Sequence, residues 1–210
     1  MATNYLFHAK GKLSDFLEKQ KEEIREVILN LPQNQIEKAD PDEISQMIVK
    51  QFSLSAPSLQ KDQFKKIIEK DIQIKTQEKV PYQTGKLAVG PRVKTVFIDA
   101  KEVIVDIPFS GDKELFYYQP AKSILTIPKG EIVGDRLRIK LVFKKEEGVP
   151  FDLRLKHQLE RIEFYLKGVF EEVDAYNREL PDFVDELIRK EVINKEVNGK
   201  RGKISKTRKS

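Results

Sequence analysis

Apolar residues recur at three- and four-residue steps near the start of the chain: Leu13, Phe16, Leu17, Ile24, Val27, Ile28 and Leu31, with Glu22, Glu23, Arg25 and Glu26 between them. That spacing gathers the apolar side chains into one stripe and predicts an amphipathic helix ending at Pro32. A second helix is marked by its cap. Asp40 is a natural N-cap, Pro41 suits the first helical position, and Glu43 stands three residues after the cap, as in a capping box. Its inward face would be Ile44, Met47, Ile48 and Phe52, and the two helices would form a hairpin. From Ser53 to Tyr82 the pattern supports two readings. Phe64, Ile67 and Ile68 allow a helix, whereas Ile72 and Ile74 alternate like a strand.

Between residues 84 and 148 the periodicity changes, with β-branched runs punctuated by Gly, Pro and Asp. The strand candidates are VKTVFI, EVIVDIPF, SILTIP and RLRIKLVF, with turns expected at Asp99-Ala100-Lys101, Gly111-Asp112, Lys129-Gly130 and Gly134-Asp135. Such short connections favour antiparallel pairing. After Pro150 the helical period returns: Leu155, Leu159, Ile162, Leu166, Val169, Val173 and Tyr176 follow at alternating steps of four and three. This is a seven-residue repeat on a helix of about 27 residues, roughly 40 Å long. A shorter helix with Phe183, Leu187 and Ile188 is expected after Pro181. The whole pattern predicts an α+β protein: an N-terminal helical hairpin, a central, mainly antiparallel β-sheet, a long C-terminal helix plus a shorter helix, and a disordered basic tail. With no repeat and no sharp break in composition, residues 1–195 are expected to form a single α+β domain and residues 196–210 the tail.

Composition changes this picture in two places. The 210 residues are 39% hydrophobic and 35% charged, enough apolar material for a core beneath a densely charged surface. The net charge of +5 would point to an acidic partner, but the last thirteen residues, NGKRGKISKTRKS, carry +6 and no acidic residue, which leaves −1 for residues 1–197. The chain contains no cysteine, so a reducing cytoplasm is its expected compartment. The opening MATNYLFHAKGK lacks the apolar segment of a signal peptide, and no apolar run approaches the roughly 20 residues that span a bilayer, so no membrane contact is expected.

Catalytic patterns are poor. His8 and His157 are the only histidines, no H-E-x-x-H spacing occurs, and there is no G-x-S-x-G elbow, phosphate-cradling loop or G-x-G-x-x-G. A metal-dependent nuclease needs clustered carboxylates beside a lysine. Asp62 with Gln73-Ile74-Lys75 fits that scheme only as a chain with 34 acidic and 39 basic residues would fit it by chance. The expectation is a non-enzymatic protein with neither metal nor cofactor.

Four surfaces remain as interaction candidates. The heptad stripe would serve as a coiled-coil seam for a homodimer or protein partner, or would pack inside the chain, since Tyr165 and Phe170 widen its face. In RLRIKLVF, Arg136, Arg138 and Lys140 share one face, which would either contact phosphates or stand as a solvated strand face. The tail, with Lys200, Arg201 and Arg208, would bind nucleic acid weakly, non-specifically and in a salt-sensitive way, and it has no aromatic residue on which a base could stack. In FSGDKELFYYQP, Leu115 and Phe116 suit the core, whereas Tyr117 or Tyr118 suits a partner-binding surface.

The succession FSGDKELFYYQP, SILTIP, RLRIKLVF and a long helix closing on YNRELPDFVDELIRK resembles an N-terminal module found ahead of variable effector domains, nuclease-like or TIR, in bacterial defence-type proteins. The resemblance covers about residues 85–190 and rests on structural motifs that carry no site residues. It implies a sensing, regulatory or assembly module, with no effector following residue 195 in this chain.

Overall fold

The computed structural model describes residues 5–32, 40–84, 87–144 and 148–207, with side chains described outside 79–92 and up to residue 191. The chain forms two compact units. One comprises Met1–Leu6, Leu59–Ser110 and Pro128–Glu163, and the other Phe7–Ser58, Gly111–Ile127 and Phe164–Ser210.

The second unit is helical. Helix α1 (Leu13–Leu29) ends at Asn30, and α2 (Pro41–Phe52) begins at Asp40, whose carboxylate accepts the Asp42 N–H at 3.1 Å. The two pack together as the expected hairpin. Leu13, Leu17, Ile24 and Ile28 are buried on α1, and Ile44, Ile48 and Phe52 on α2. Met47 departs from the expected inner face and is exposed. The buried face instead includes Ser45, whose hydroxyl donates to the Asp185 carboxylate. The third helix, α3 (Phe151–Thr207), contributes its portion from Phe164 onward. Asn177 there reads the backbone of Leu54 in both directions, accepting its N–H at 3.0 Å and donating to its C=O at 2.7 Å. The Tyr176 hydroxyl donates to the Phe52 C=O at 3.3 Å, and burial pushes its pKa up to about 12.

The heptad stripe is core. Leu155, Ile162, Leu166, Val169, Val173 and Tyr176 are buried, Leu159 is half-buried, and the series continues through Leu180, Val184 and Ile188. That continuation explains why Pro181 does not end the helix, as its sequence position predicts. The missing N–H and the ring clash cost about 3 kcal/mol, but buried side chains on both sides of the proline hold the helical path. The expected long and short helices are therefore one. Its backbone runs on through Asn198 to Thr207.

The first unit holds an antiparallel sheet: β1 (Ser58–Leu59), β2 (Lys65–Thr84), β3 (Leu87–Ser110), β4 (Glu131–Val133) and β5 (Arg136–Lys144), in the order β1-β3-β5-β4 with β2 also on β3. Alternation on β3 and β5 buries Val103, Val105, Ile107, Phe109, Leu137 and Ile139 on one face. The first turns of α3 are tied to this unit. Gln158 donates to the Lys129 C=O at 3.1 Å, and the Arg154 guanidinium lies 5.6 Å from the centre of the Phe143 ring.

Two strand expectations are corrected. VKTVFI and EVIVDIPF are one strand, and the turn expected at Asp99-Ala100-Lys101 is paired backbone opposite Gln73, Ile72 and Asp71. Ala100 is fully buried there and the Gln73 amide donates to Asp99, so the small and polar residues that read as a turn fill a strand crossing. SILTIP is not a strand. Pro120 precedes it and Pro128 ends it, and residues 120–124 lie against α3, where the Tyr165 hydroxyl donates to the Ile124 C=O at 2.6 Å and Glu172 accepts the Ala121 N–H at 2.6 Å.

Candidate functional site

Hairpin β2–β3 is much longer than the sheet that carries it. Strand β5 pairs with β3 only from Ala100 to Pro108. Residues 73–84 and 87–99 therefore continue as a two-stranded ribbon, about 40 Å long at 3.3 Å per residue, and among the described residues no other strand pairs with it. Ile72 opposes Ala100, Ile74 opposes Ile98 and Thr76 opposes Val96 on one face, while Gln73–Asp99, Lys75–Phe97 and Gln77–Thr95 lie on the other. None of the described side chains between 73 and 99 is buried, and Phe97 is 67% exposed. A lone two-stranded ribbon is marginal in water, so this arm is a surface whose order is favoured by contact.

The base of the arm is charged and internally matched. On the sheet face opposite the core, Arg138 clamps Asp106 with two hydrogen bonds, Nε to Oδ1 at 2.8 Å and Nη2 to Oδ2 at 2.9 Å. Glu102 pairs with Lys140 and with Lys70, the latter at 3.1 Å. Glu69 accepts from Lys101 at 2.7 Å. Asp106 and Glu102 are buried, and the hydrogen bonds from Arg138 and Lys140 hold both carboxyls below their ordinary range against the opposing effect of burial.

Groups with depressed folded-state pKa values stabilise the fold fully above the unfolded carboxylate range and lose that contribution as pH falls through it. Asp106→Asn is therefore expected to destabilise the protein by about 1 kcal/mol at pH 7, with the difference from wild type shrinking as pH falls from 5 to 3. Thermal melts across that range check it, and a difference independent of pH would mean that the pair contributes by packing alone.

The basic strand face predicted from RLRIKLVF is thus present, but two of its cations are engaged. Arg138 and Lys140 serve Asp106 and Glu102, and Arg136 lies 3.9 Å from Asp135. Of the tail cations, Lys200 and Arg201 fall on the backbone of α3, and Arg208 lies outside the described residues. Leu115 and Phe116 are fully buried, whereas Tyr117 and Tyr118 are half-buried. The Tyr118 ring stacks on Phe16 with centroids 4.5 Å apart, and Lys10 Nζ lies 5.5 Å from the centre of the Tyr117 ring. The structure does not bring Asp62 and Lys75 together. Asp62 lies in a turn before β2, while Lys75 is ten extended residues beyond Lys65, about 33 Å along the strand. Among the described residues no group of three His, Cys, Asp or Glu side chains could hold a metal ion, and no helix is long and apolar enough to cross a membrane.

Of the arm cations, Lys75 entered the sequence patterns only through the carboxylate scheme with Asp62, and Lys79, Arg92 and Lys94 were not singled out. The available signal was the stretch from Lys79 to Ile98, which holds four Lys or Arg residues and neither Asp nor Glu. Fold and surface together define an α+β protein with a protruding β-arm and a charge-paired base. No protein-family model, curated protein or solved structure matches the chain.

Proposed function

We propose that the chain is an interaction module without catalysis of its own, and that its β-arm is the contact element. The observation that carries this reading is the ribbon itself, some 40 Å of paired backbone on which none of the described side chains, residues 73–78 and 93–99, is buried on either face. The resemblance to modules that precede effector domains adds a role in sensing, regulation or assembly within a bacterial defence-type system. The absence of cysteine from the sequence favours the cytoplasm as the place of work. Tyr117 and Tyr118 are a lesser surface, because Tyr118 is already stacked within the chain.

The test is a chain in which Thr76–Val96 is replaced by Asn-Gly, a two-residue turn that closes the hairpin at the Lys75–Phe97 pair. Its thermal midpoint is expected to stay within about 3 °C of wild type, since none of the described side chains it removes, residues 76–78 and 93–96, is buried. In affinity capture from host lysate followed by quantitative mass spectrometry, species bound by the full chain should fall about tenfold or more with the shortened arm. An identical bound set would remove the arm from the function.

A further inference from the structure

Positive charge is concentrated on the arm. Residues 73–99 carry five Lys or Arg and two acidic residues, net +3, so the −1 of residues 1–197 leaves −4 for the rest of that body. The matching of charges also changes along the hairpin. At the base, Lys66, Lys70 and Lys101 have carboxylate partners at 3.9, 3.1 and 2.7 Å, respectively. Farther out, among the described residues, neither Lys75 nor Lys94 has an ion-pair partner within 4 Å. Unmatched cations on an exposed ribbon form a standing positive potential.

Register distributes these positions in an informative way. Lys75 and Lys79, opposite Phe97 and Val93, belong to one face, and Arg92 and Lys94, opposite Val80 and Glu78, to the other. A flat acidic surface or a lipid headgroup layer would draw cations to a single face. Cations on both faces suit a ligand that borders the ribbon on two sides with negative charge. The major groove of a B-DNA duplex is such a ligand, about 12 Å wide, able to admit a two-stranded ribbon, and lined on each side by phosphates. Ten paired residues of the ribbon cover about 33 Å, close to one helical turn of B-DNA.

We infer that the arm binds duplex DNA by lying in its major groove, with Lys75, Lys79, Arg92 and Lys94 on the phosphates of the two strands. This rests on the arm being the contact element. Contacts of this kind fix position on the duplex and read no sequence. They weaken with salt because each neutralised phosphate releases counterions, so four of them give a log–log slope of about −3.6.

The experiment is a fluorescence anisotropy titration of a 25-base-pair DNA duplex and of the matching single strand, at 50 and 200 mM salt. It uses the full chain, the full chain with Lys75, Lys79, Arg92 and Lys94 all changed to Gln, and the full chain with the six tail cations changed to Gln. The wild-type chain is expected to prefer duplex. The arm variant should bind at least tenfold more weakly at 50 mM, with the salt slope reduced by about 3.6, while the tail variant keeps the arm's share of both. Loss confined to the tail variant, a preference for single strand, or no binding by the wild type would each overturn the inference. The Asn-Gly chain separates the two proposals. If it loses its lysate partners while duplex binding is unchanged, the DNA inference fails and the interaction module stands; if it loses neither, both fail.

Discussion

Gly111→Ala is expected to lower the thermal midpoint by about 10 °C, which corresponds to roughly 3 kcal/mol for a chain of this size. Two effects add. Gly111 has φ +93°, a region closed to side chains without about 1–2 kcal/mol of strain. A Cβ there would stand 2.6 Å from the Ala56 carbonyl oxygen and 2.8 Å from that of Ser55, both backbone atoms. Those atoms are held in place, because Asp112 N–H donates to the Ser55 C=O at 2.7 Å and Ser55 N–H donates to the Asp112 carboxylate at 2.6 Å. Gly134→Ala isolates the first effect. Its φ is +65° and a Cβ would meet nothing within 4 Å, so a loss of about 1 kcal/mol is expected. Equal losses in the two variants, measured by thermal melts at pH 7, would show that the irregular segment around Ser55 and Ala56 yields to the added methyl group.

Local signals carried the helices further than the sheet. Asp40 and Pro41 fixed the start of α2 because capping depends on neighbours in sequence, and the cap hydrogen bond to Asp42 forms as such chemistry requires. The stripe from Leu155 to Tyr176 was equally legible, but its choice between seam and core depended on residues far away in sequence, such as Phe52, whose C=O accepts from the Tyr176 hydroxyl. Pro181 misled for a related reason: its local penalty is real, and buried Tyr176, Leu180 and Val184 outweigh it. The hairpin was the least legible element. Strand pairing is non-local, and Asp99-Ala100-Lys101 satisfies turn chemistry when nothing in the sequence shows that Gln73, Ile72 and Asp71 will lie opposite.

The candidate site shows the same division. The cations of β5 could be read from RLRIKLVF, whereas their partners could not, since Asp106 pairs with Arg138 across 32 residues of sequence and Glu102 reaches Lys140 diagonally across the ladder. Pairing turns a row of three like charges into a largely neutral base. The proposed DNA contact therefore rests on Lys75, Lys79, Arg92 and Lys94, which are scattered along 20 residues and come onto one ribbon only when the hairpin is in register.

Phe7 supplies the second large effect. It is fully buried, with its ring stacked on Tyr165 at 5.0 Å and tilted against Phe116 at 5.8 Å, so Phe7→Ala is expected to cost about 3–5 kcal/mol through lost burial and the cavity left behind. Phe7 is also the one described non-glycine residue with positive φ, +56°, a conformation that a bulky L-residue adopts only when its surroundings impose it. The imposing contacts are the two rings and the hydrogen bond from the Phe7 N–H to the Phe116 C=O at 2.5 Å. Alanine would keep the strained backbone and lose the rings that hold it. Glycine also loses the rings, but it is free of the strain, so Phe7→Gly should be at least as stable as Phe7→Ala, against the usual order in which glycine is worse by about 0.5–1 kcal/mol. Urea midpoints of the two variants decide it. A glycine variant clearly weaker than the alanine variant would mean that the left-handed turn at Phe7 carries no strain, and that the aromatic cluster stabilises the fold by burial alone.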